Sequence, residues 1–206
     1  EAGAAVTVTG GSNVSDGTVA VGYSALAALT SGGNNTAVGY QSGQFITTGS
    51  RNTFLGYDAG KGITGAKLTG TDNTAVGQNA GLLLQGAADG NSLVGRQAGD
   101  VLTTGTNNTC IGAGADTDDA TATNQTVIGN ATTGVADNSV TLGNASVTAV
   151  YMAQDSGATV HAANVISNSN YAVEGYSTGR NVMRSVTLRL QPGSTPNTNI
   201  NVTVLD

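Results

Sequence analysis

The chain has 206 residues, of which 31 are Gly, 10% are charged and 4% are aromatic, and its formal net charge is −6. One Cys and one His exclude an intrachain disulfide framework or a Cys-rich zinc site and leave little material for His-based catalysis. Large side chains are too scarce for a deep ligand pocket, the acidic charge disfavours nucleic acid as a partner, and no apolar run approaches the ~18 residues of a membrane span.

A five-residue phrase ending in Gly recurs through the first 145 residues. Its most regular form is Asn-Thr-Ala-Val-Gly, at 35–39 and 73–77. The closing glycines, 14 to 21 residues apart, are Gly22, Gly39, Gly56, Gly77, Gly95, Gly112, Gly129 and Gly143. Such a regular interval is typical of a repeat protein. The longest interval contains Lys61–Gly70, which we interpret as an inserted loop.

Each repeat predicts a short strand, a glycine corner, a second short strand and a loop. The residue before each Gly is aliphatic, and coils stacked once per repeat would align these residues in a ladder: Val21, Val38, Leu55, Val76, Val94, Ile111, Ile128 and Leu142. Three residues after the Gly, small residues predict a second ladder: Ala25, Ser42, Ala59, Ala80, Ala98 and Ala115. The Asn four residues before the Gly tolerates a turn conformation and can bond to its counterparts along the stack.

A unit of ~17 residues cannot bury its own apolar face, so neighbouring units must stack. The sequence therefore predicts an all-β chain with a parallel β-roll or β-solenoid of about eight short coils over residues 1–145. Helix is disfavoured by the Gly, Asn and β-branched content. Only Ser24–Leu29 and Gln78–Leu84 favour a helical turn.

The repeat stops after residue 145. Residues 146–170 are predicted to form a neck-like transition that begins with a strand at Val147–Met152. Residues 171–206 are predicted to form a small C-terminal β-hairpin element, with strands at Val182–Leu190 and Asn199–Leu205 around a Pro-Gly turn.

Few residues offer chemistry. His161 is either a packed or surface histidine between two strands or, in a trimer, one of three axial metal ligands. The run from Asp116 to Asp119 is either a solvated loop or a Ca²⁺ site. Cys110 is expected to be a small buried apolar residue, because a nucleophile needs a neighbouring base. We expect no catalytic, cofactor-binding or metal-binding residues.

Three tyrosines follow successive corner glycines, at Tyr23, Tyr40 and Tyr57. Coils in register would place them in one stripe. Aromatic rings at such spacing are candidates for contact with a glycan, and the alternative interpretations are an inter-chain packing seam or a solvent-facing edge.

The phrase Asn-Thr-Ala-Val-Gly, followed by a Ser/Ala-Gly pair, resembles the head repeats of trimeric autotransporter adhesins, whose motif is close to Asn-Ser-Val-Ala-Ile-Gly. Similar repeats occur in bacteriophage tail fibres and related virion appendages. The stretch 137–151, Asp-Asn-Ser-Val-Thr-Leu-Gly-Asn-Ala-Ser-Val-Thr-Ala-Val-Tyr, is especially similar to phage fibre sequences. The resemblance covers roughly residues 14–165.

This resemblance implies a left-handed β-roll in which three identical chains pack about one axis. A single-chain solenoid is the structural competitor. The expected function is that of a structural and adhesive fibre protein on the virion surface, acting as a rigid spacer and receptor-binding appendage without enzymatic activity or cofactor. The implied partners are the chain itself as a homotrimer, other virion or fibre proteins, and a host cell-surface glycan or protein, without membrane insertion.

Two alternatives remain open. One is a bacterial surface adhesin of the trimeric autotransporter type, although the chain departs from that family in lacking a membrane anchor and a long heptad stalk, which favours the phage fibre. The other is a tailspike that depolymerises polysaccharide.

Overall fold

The computed structural model describes residues 17–151. The remainder of the predicted neck, the predicted hairpin element at 171–206 and His161 lie outside the described residues. Within 17–151 the chain has no helix, which confirms the predicted all-β class. Its strands, all three residues long, are β1 (Val19–Val21), β2 (Thr36–Val38), β3 (Thr53–Leu55), β4 (Thr74–Val76), β5 (Ser92–Val94), β6 (Thr109–Ile111), β7 (Thr126–Ile128) and β8 (Val140–Leu142).

The eight strands form one parallel sheet in chain order. Each strand pairs with the strand one repeat later, without any slip in register: Ala37 lies opposite Phe54, and Phe54 lies opposite Ala75. At ~4.8 Å per strand the sheet is on the order of 35 Å long. The predicted parallel β-solenoid is therefore confirmed, and the inserted loop after Gly60 is accommodated between β3 and β4 without disturbing the register.

The middle residue of each strand points into the coil. This column is buried from coil to coil and consists of Ala20, Ala37, Phe54, Ala75, Leu93, Cys110 and Val127. The first and third residues of the strands point outward. Side chains alternate between the two faces of a strand, so a three-residue strand can bury only its centre.

Turns follow the corner glycine, not the second short strand that the repeat predicted. Backbone φ is positive two and four residues after the corner, as at Gln41 (51°) and Gly43 (59°), and these left-handed residues prevent an extended chain. The predicted small-residue ladder nevertheless faces the core there. Ser42, Ala59, Ala80, Ala98 and Ala115 are buried, and Ala25 packs partly against the same core.

The predicted helical turns at 24–29 and 78–84 are wrong. In segment 24–29, every second backbone amide donates to a carbonyl of the next coil. Leu26 N donates to Ser42 O and Ala28 N donates to Gln44 O, both at 3.0 Å. An α-helix needs each amide to bond four residues back along the same chain segment. Pairing between coils therefore replaces helix formation.

The corner glycines stack directly on one another. Gly56 has a φ of 140°, and a Cβ added there would lie 2.5 Å from the carbonyl oxygen of Gly77 in the next coil. Only glycine allows both this conformation and this approach. The repeated Gly of the sequence thus marks the closest contact between successive backbones.

The strand predicted to begin at Val147 is absent from residues 147–151. Val147 N donates to Asn144 O in a local turn. A strand needs a partner in register to satisfy its backbone groups, and residues 147–151 make no such pairing with the coils of residues 17–146.

Candidate functional site

The asparagines of the repeat form a buried hydrogen-bonded column. Asn52 donates both its backbone N–H (3.0 Å) and its Nδ2 (3.1 Å) to the Oδ1 of Asn35. Asn73 donates the same two bonds to the Oδ1 of Asn52, and Asn91 donates them to the Oδ1 of Asn73. All of these side chains are fully buried. The column continues to Asn108, so one amide per coil links each turn to the next.

The second hydrogen of each Nδ2 is also used. Nδ2 of Asn73 donates to Ala88 O at 2.8 Å, and Nδ2 of Asn91 donates to Gly105 O at 2.9 Å. The amide oxygens from Asn35 to Asn91 each accept two bonds from the next coil, and Asn108 Oδ1 accepts one, from Gln125 N. These hydrogen bonds offset the cost of removing the amides from water and fix one packing arrangement of the coils.

The ends of the column carry different residues. Thr18 occupies the Asn position in the first coil and accepts from Asn35 N. At the other end Gln125 N donates to Asn108 Oδ1 at 2.9 Å, while its longer side chain reaches Asp118 and Asp137. The turn conformation expected at the Asn lies instead one residue earlier, as at Asn34 (φ 58°) and Asp72 (φ 60°), because the Asn itself leads into the strand.

The aliphatic ladder faces solvent along the outer face of the sheet. Val38 pairs with Leu55, and Leu55 with Val76, so these side chains form one column. Val21, Leu55, Val94, Ile111, Ile128 and Leu142 are 38–47% exposed. Val38 and Val76 are partly exposed. We name this set the aliphatic column. Its continuous exposure makes it an apolar strip along every coil, which is characteristic of an interaction surface.

A hydroxyl column runs parallel to it. The first strand residues are Thr36, Thr53, Thr74, Ser92, Thr109 and Thr126, in register from β2 to β7. These side chains lie on the same outer face as the aliphatic column because they are two residues away along the strand. The outer face is therefore half apolar and half hydroxyl-bearing.

Tyr23, Tyr40 and Tyr57 stack on one another, and we name them the tyrosine column. The Tyr23 and Tyr40 rings have centroids 5.3 Å apart with an interplanar angle of 12°, and Tyr40 and Tyr57 are 5.1 Å apart at 9°. The rings are 42–58% exposed. Stacking covers both faces of Tyr40, so the three rings do not offer three separate platforms for sugars. The predicted stripe is present, and contact of these rings with a glycan stays a prediction.

The carboxylates of the acidic run at 116–119 accept hydrogen bonds from other groups of the protein. Asp116 is buried, and its two oxygens accept from the backbone N–H groups of Val101 and Thr117. Asp118 accepts from Gln125, and Asp119 accepts from the backbone N–H and hydroxyl of Thr121. The carboxylates thus point to separate protein donors. Among residues 17–151, no group of three or more His, Cys, Asp or Glu side chains is placed to hold a metal ion.

Two buried groups near this run have raised pKa values. Burial, together with a hydrogen bond to the Asp100 carboxyl, raises the pKa of Asp116 to about 7. Burial, and secondarily the charge of Asp116, raises the pKa of the Cys110 thiol to about 12. A neutral, fully buried thiol is a poor nucleophile, which agrees with an apolar packing role for Cys110. The pairing of Asp100 with Asp116 was missed because they are 16 residues apart in sequence and meet only through the stack.

The chain matches no protein-family model, no curated protein and no solved structure. Within the part of the chain that the structure describes, no helix is long and apolar enough to cross a bilayer. The candidate surface is therefore defined by this chain's own geometry: the aliphatic, hydroxyl and tyrosine columns on the outside, held in register by the asparagine column within.

Proposed function

We propose that this chain is a structural and adhesive fibre protein of a phage virion, in which three copies form a rigid spacer that carries receptor-binding surfaces. The exposed aliphatic column is the observation that carries this proposal. The column places one exposed or partly exposed Val, Leu or Ile side chain on every coil, and a contiguous apolar strip of this kind marks an interaction site. Association of copies along it would add the core that thin, alanine-rich coils lack.

Rigidity follows from the way the coils are joined. Every coil is linked to the next by backbone hydrogen bonds of the sheet and by the corner glycine contact, and buried asparagine bonds add to these from Asn35 to Asn108. Bending the stack would open these bonds on one side. A stiff shaft holds several weak contacts at fixed spacing, and simultaneous engagement then strengthens attachment to a surface.

The test of the assembly is the molar mass in solution, measured by light scattering. The proposal expects three times the 20.2 kDa of one chain. The double variant Val94→Glu, Ile111→Glu puts two charges on the aliphatic column and is expected to give single chains. Both residues lie on the outer face and are about 40% exposed, so the variant should keep its β-sheet circular dichroism.

The matched control adds the same charge elsewhere. Thr48 and Thr64 are exposed residues outside the strands, and replacing both with Glu is expected to leave the molar mass of the trimer unchanged. A parent protein with the mass of one chain would refute the trimeric fibre. Equal dissociation of both variants would refute the assignment of the aliphatic column as the contact.

The alternative is a bacterial surface adhesin of the trimeric autotransporter type, which would share the same assembly. Immunogold labelling with an antibody against this chain separates the two. The virion proposal expects gold on released particles, while gold confined to the surface of the producing cells would favour the adhesin.

A further inference from the structure

We propose that the tyrosine column is a modification site at which a one-electron oxidant of the peroxide class couples neighbouring rings. The product is a carbon–carbon bond between the tyrosines of consecutive coils, which is a covalent cross-link between coils near the start of the stack. The proposal concerns Tyr23, Tyr40 and Tyr57 alone. It does not depend on whether the chain forms a trimer.

The first requirement of such coupling is two phenols already in contact. Tyr40 lies 5.3 Å from Tyr23 and 5.1 Å from Tyr57 between ring centroids, with nearly parallel planes. The parallel register places Val21, Val38 and Leu55 side by side, and each tyrosine follows two residues later. The backbone therefore holds the rings together before any reaction, so no encounter between distant side chains is needed.

The second requirement is access together with freedom to tilt. The three rings are 42–58% exposed and project from the residue after a corner glycine. A small oxidant can reach the phenol groups, and the ring tips can move from stacking distance to bonding distance without displacing the buried core. Cys110, which would compete for oxidant as a thiol, is fully buried.

The chemistry balances as a two-electron oxidation. Each of two tyrosines gives one electron to the oxidant and its phenolic proton to the solvent. This leaves a radical with spin density on the ring carbon next to the oxygen-bearing carbon. These two carbons form a bond, and each ring regains its phenol by moving the hydrogen from that carbon to the oxygen. The pair has then lost two hydrogens overall. Peroxydisulfate accepts the two electrons and leaves as two sulfate ions.

The experiment irradiates dilute protein with tris(bipyridine)ruthenium(II) and peroxydisulfate, and measures dityrosine fluorescence and peptide masses after proteolysis. A background with Tyr151, Tyr171 and Tyr176 replaced by Phe leaves only the tyrosine column. We expect one dityrosine per chain, linking the peptide of Tyr40 to that of Tyr23 or Tyr57 with a loss of two hydrogens. Denaturing electrophoresis should show it in the single-chain band.

Two matched variants in this background decide the outcome. Tyr40→Phe keeps the stacked ring but removes the central phenol, so Tyr23 and Tyr57 are left two coils apart and coupling is expected to fall at least tenfold. Tyr23→Phe leaves Tyr40 beside Tyr57 and is expected to keep coupling. The proposal is overturned if the background protein yields no dityrosine, if Tyr40→Phe couples as well as Tyr23→Phe, or if the product runs only as cross-linked chains.

Discussion

Asn73 donates two hydrogen bonds, from its backbone N–H and from its side-chain Nδ2, to the single Oδ1 of Asn52, both at 3.0 Å. Both side chains are fully buried. The two residues are 21 positions apart in sequence and occupy the same place in successive coils. Because this bond pattern can form only when the coils are in register, the asparagine column specifies the register as well as stabilising the stack.

Replacing Asn73 with Ala is expected to destabilise the protein by about 2–4 kcal/mol, because the carbonyl of Ala88 and the Nδ2 of Asn91 lose a partner inside the core. Chemical denaturation followed by circular dichroism measures the loss. Asn130→Ala is the control, since Asn130 is exposed and makes one long bond to Ala113 O at 3.3 Å, and it should change stability by less than about 0.5 kcal/mol. Equal effects of the two variants would contradict a structural role for the column.

Gly56→Ala is expected to cost about 3 kcal/mol or more. The new Cβ would lie 2.5 Å from Gly77 O, at a φ of 140° that alanine rarely adopts. Gly65→Ala is the matched variant, because a Cβ there meets nothing within 4 Å, and it should be neutral. Thermal unfolding of the two proteins tests the difference, and a tolerated Gly56→Ala would show that the corners are not stacked as described.

Cys110 should resist thiol reagents in the native protein. It is fully buried and burial raises its pKa to about 12, so both access and thiolate are lacking. Native protein mixed with dithionitrobenzoate is expected to release almost no thionitrobenzoate over minutes, while denatured protein should release one equivalent per chain, since it is the one cysteine of the sequence. Rapid labelling of the native protein would place Cys110 outside the core.

The stability of the protein should decrease between pH 5 and pH 8. The pKa of Asp116 is raised from 3.8 to about 7 by burial and by Asp100, so the folded chain holds a proton that the unfolded chain releases. The stabilisation from this proton is fully present below the pKa of Asp116 in the unfolded chain. It is lost as pH rises through about 7, the pKa of Asp116 in the folded chain. Denaturation midpoints at pH 5 and pH 8 should therefore differ, and Asp116→Asn should reduce the difference.

Asp72→Asn is the control for this pH dependence. The hydrogen bond from Arg51 lowers the pKa of Asp72, so its contribution to stability is lost only as pH falls below the usual range of Asp. The difference between pH 5 and pH 8 should be unchanged in this variant. If Asp116→Asn also leaves the stability difference between pH 5 and pH 8 unchanged, Asp116 does not cause the pH dependence.

Most of the fold could be predicted from the repeat, because the glycine and asparagine positions recur for identifiable physical reasons. The interval between glycines predicted one coil per repeat, and the Asn position predicted bonding along the stack, as Asn52 and Asn73 show. The inward or outward direction of a side chain was harder to predict. Val38 and Ala37 are both apolar, and only the coil's cross-section decides that Ala37 is buried while Val38 is partly exposed.

Other features depend on contacts between coils that no local pattern encodes. The second strand was predicted from the repeat, but left-handed residues such as Gln41 replace it with turns. The stripe of tyrosines was visible in the sequence, whereas the mutual covering of the Tyr40 faces depends on the coil spacing. Asp100 and Asp116 meet for the same reason, across one turn of the solenoid.

Register between coils is tested most directly by engineered cysteines on the outer face, in a Cys110→Ser background. Thr53 pairs with Thr74 across β3 and β4, and adjacent strands are close enough for a disulfide. Copper–phenanthroline oxidation should therefore link Thr53→Cys to Thr74→Cys within one chain in high yield, and should leave Thr53→Cys with Ser92→Cys, two coils apart, unlinked. Failure of the first pair, or equal linkage of both pairs, would contradict the in-register stack.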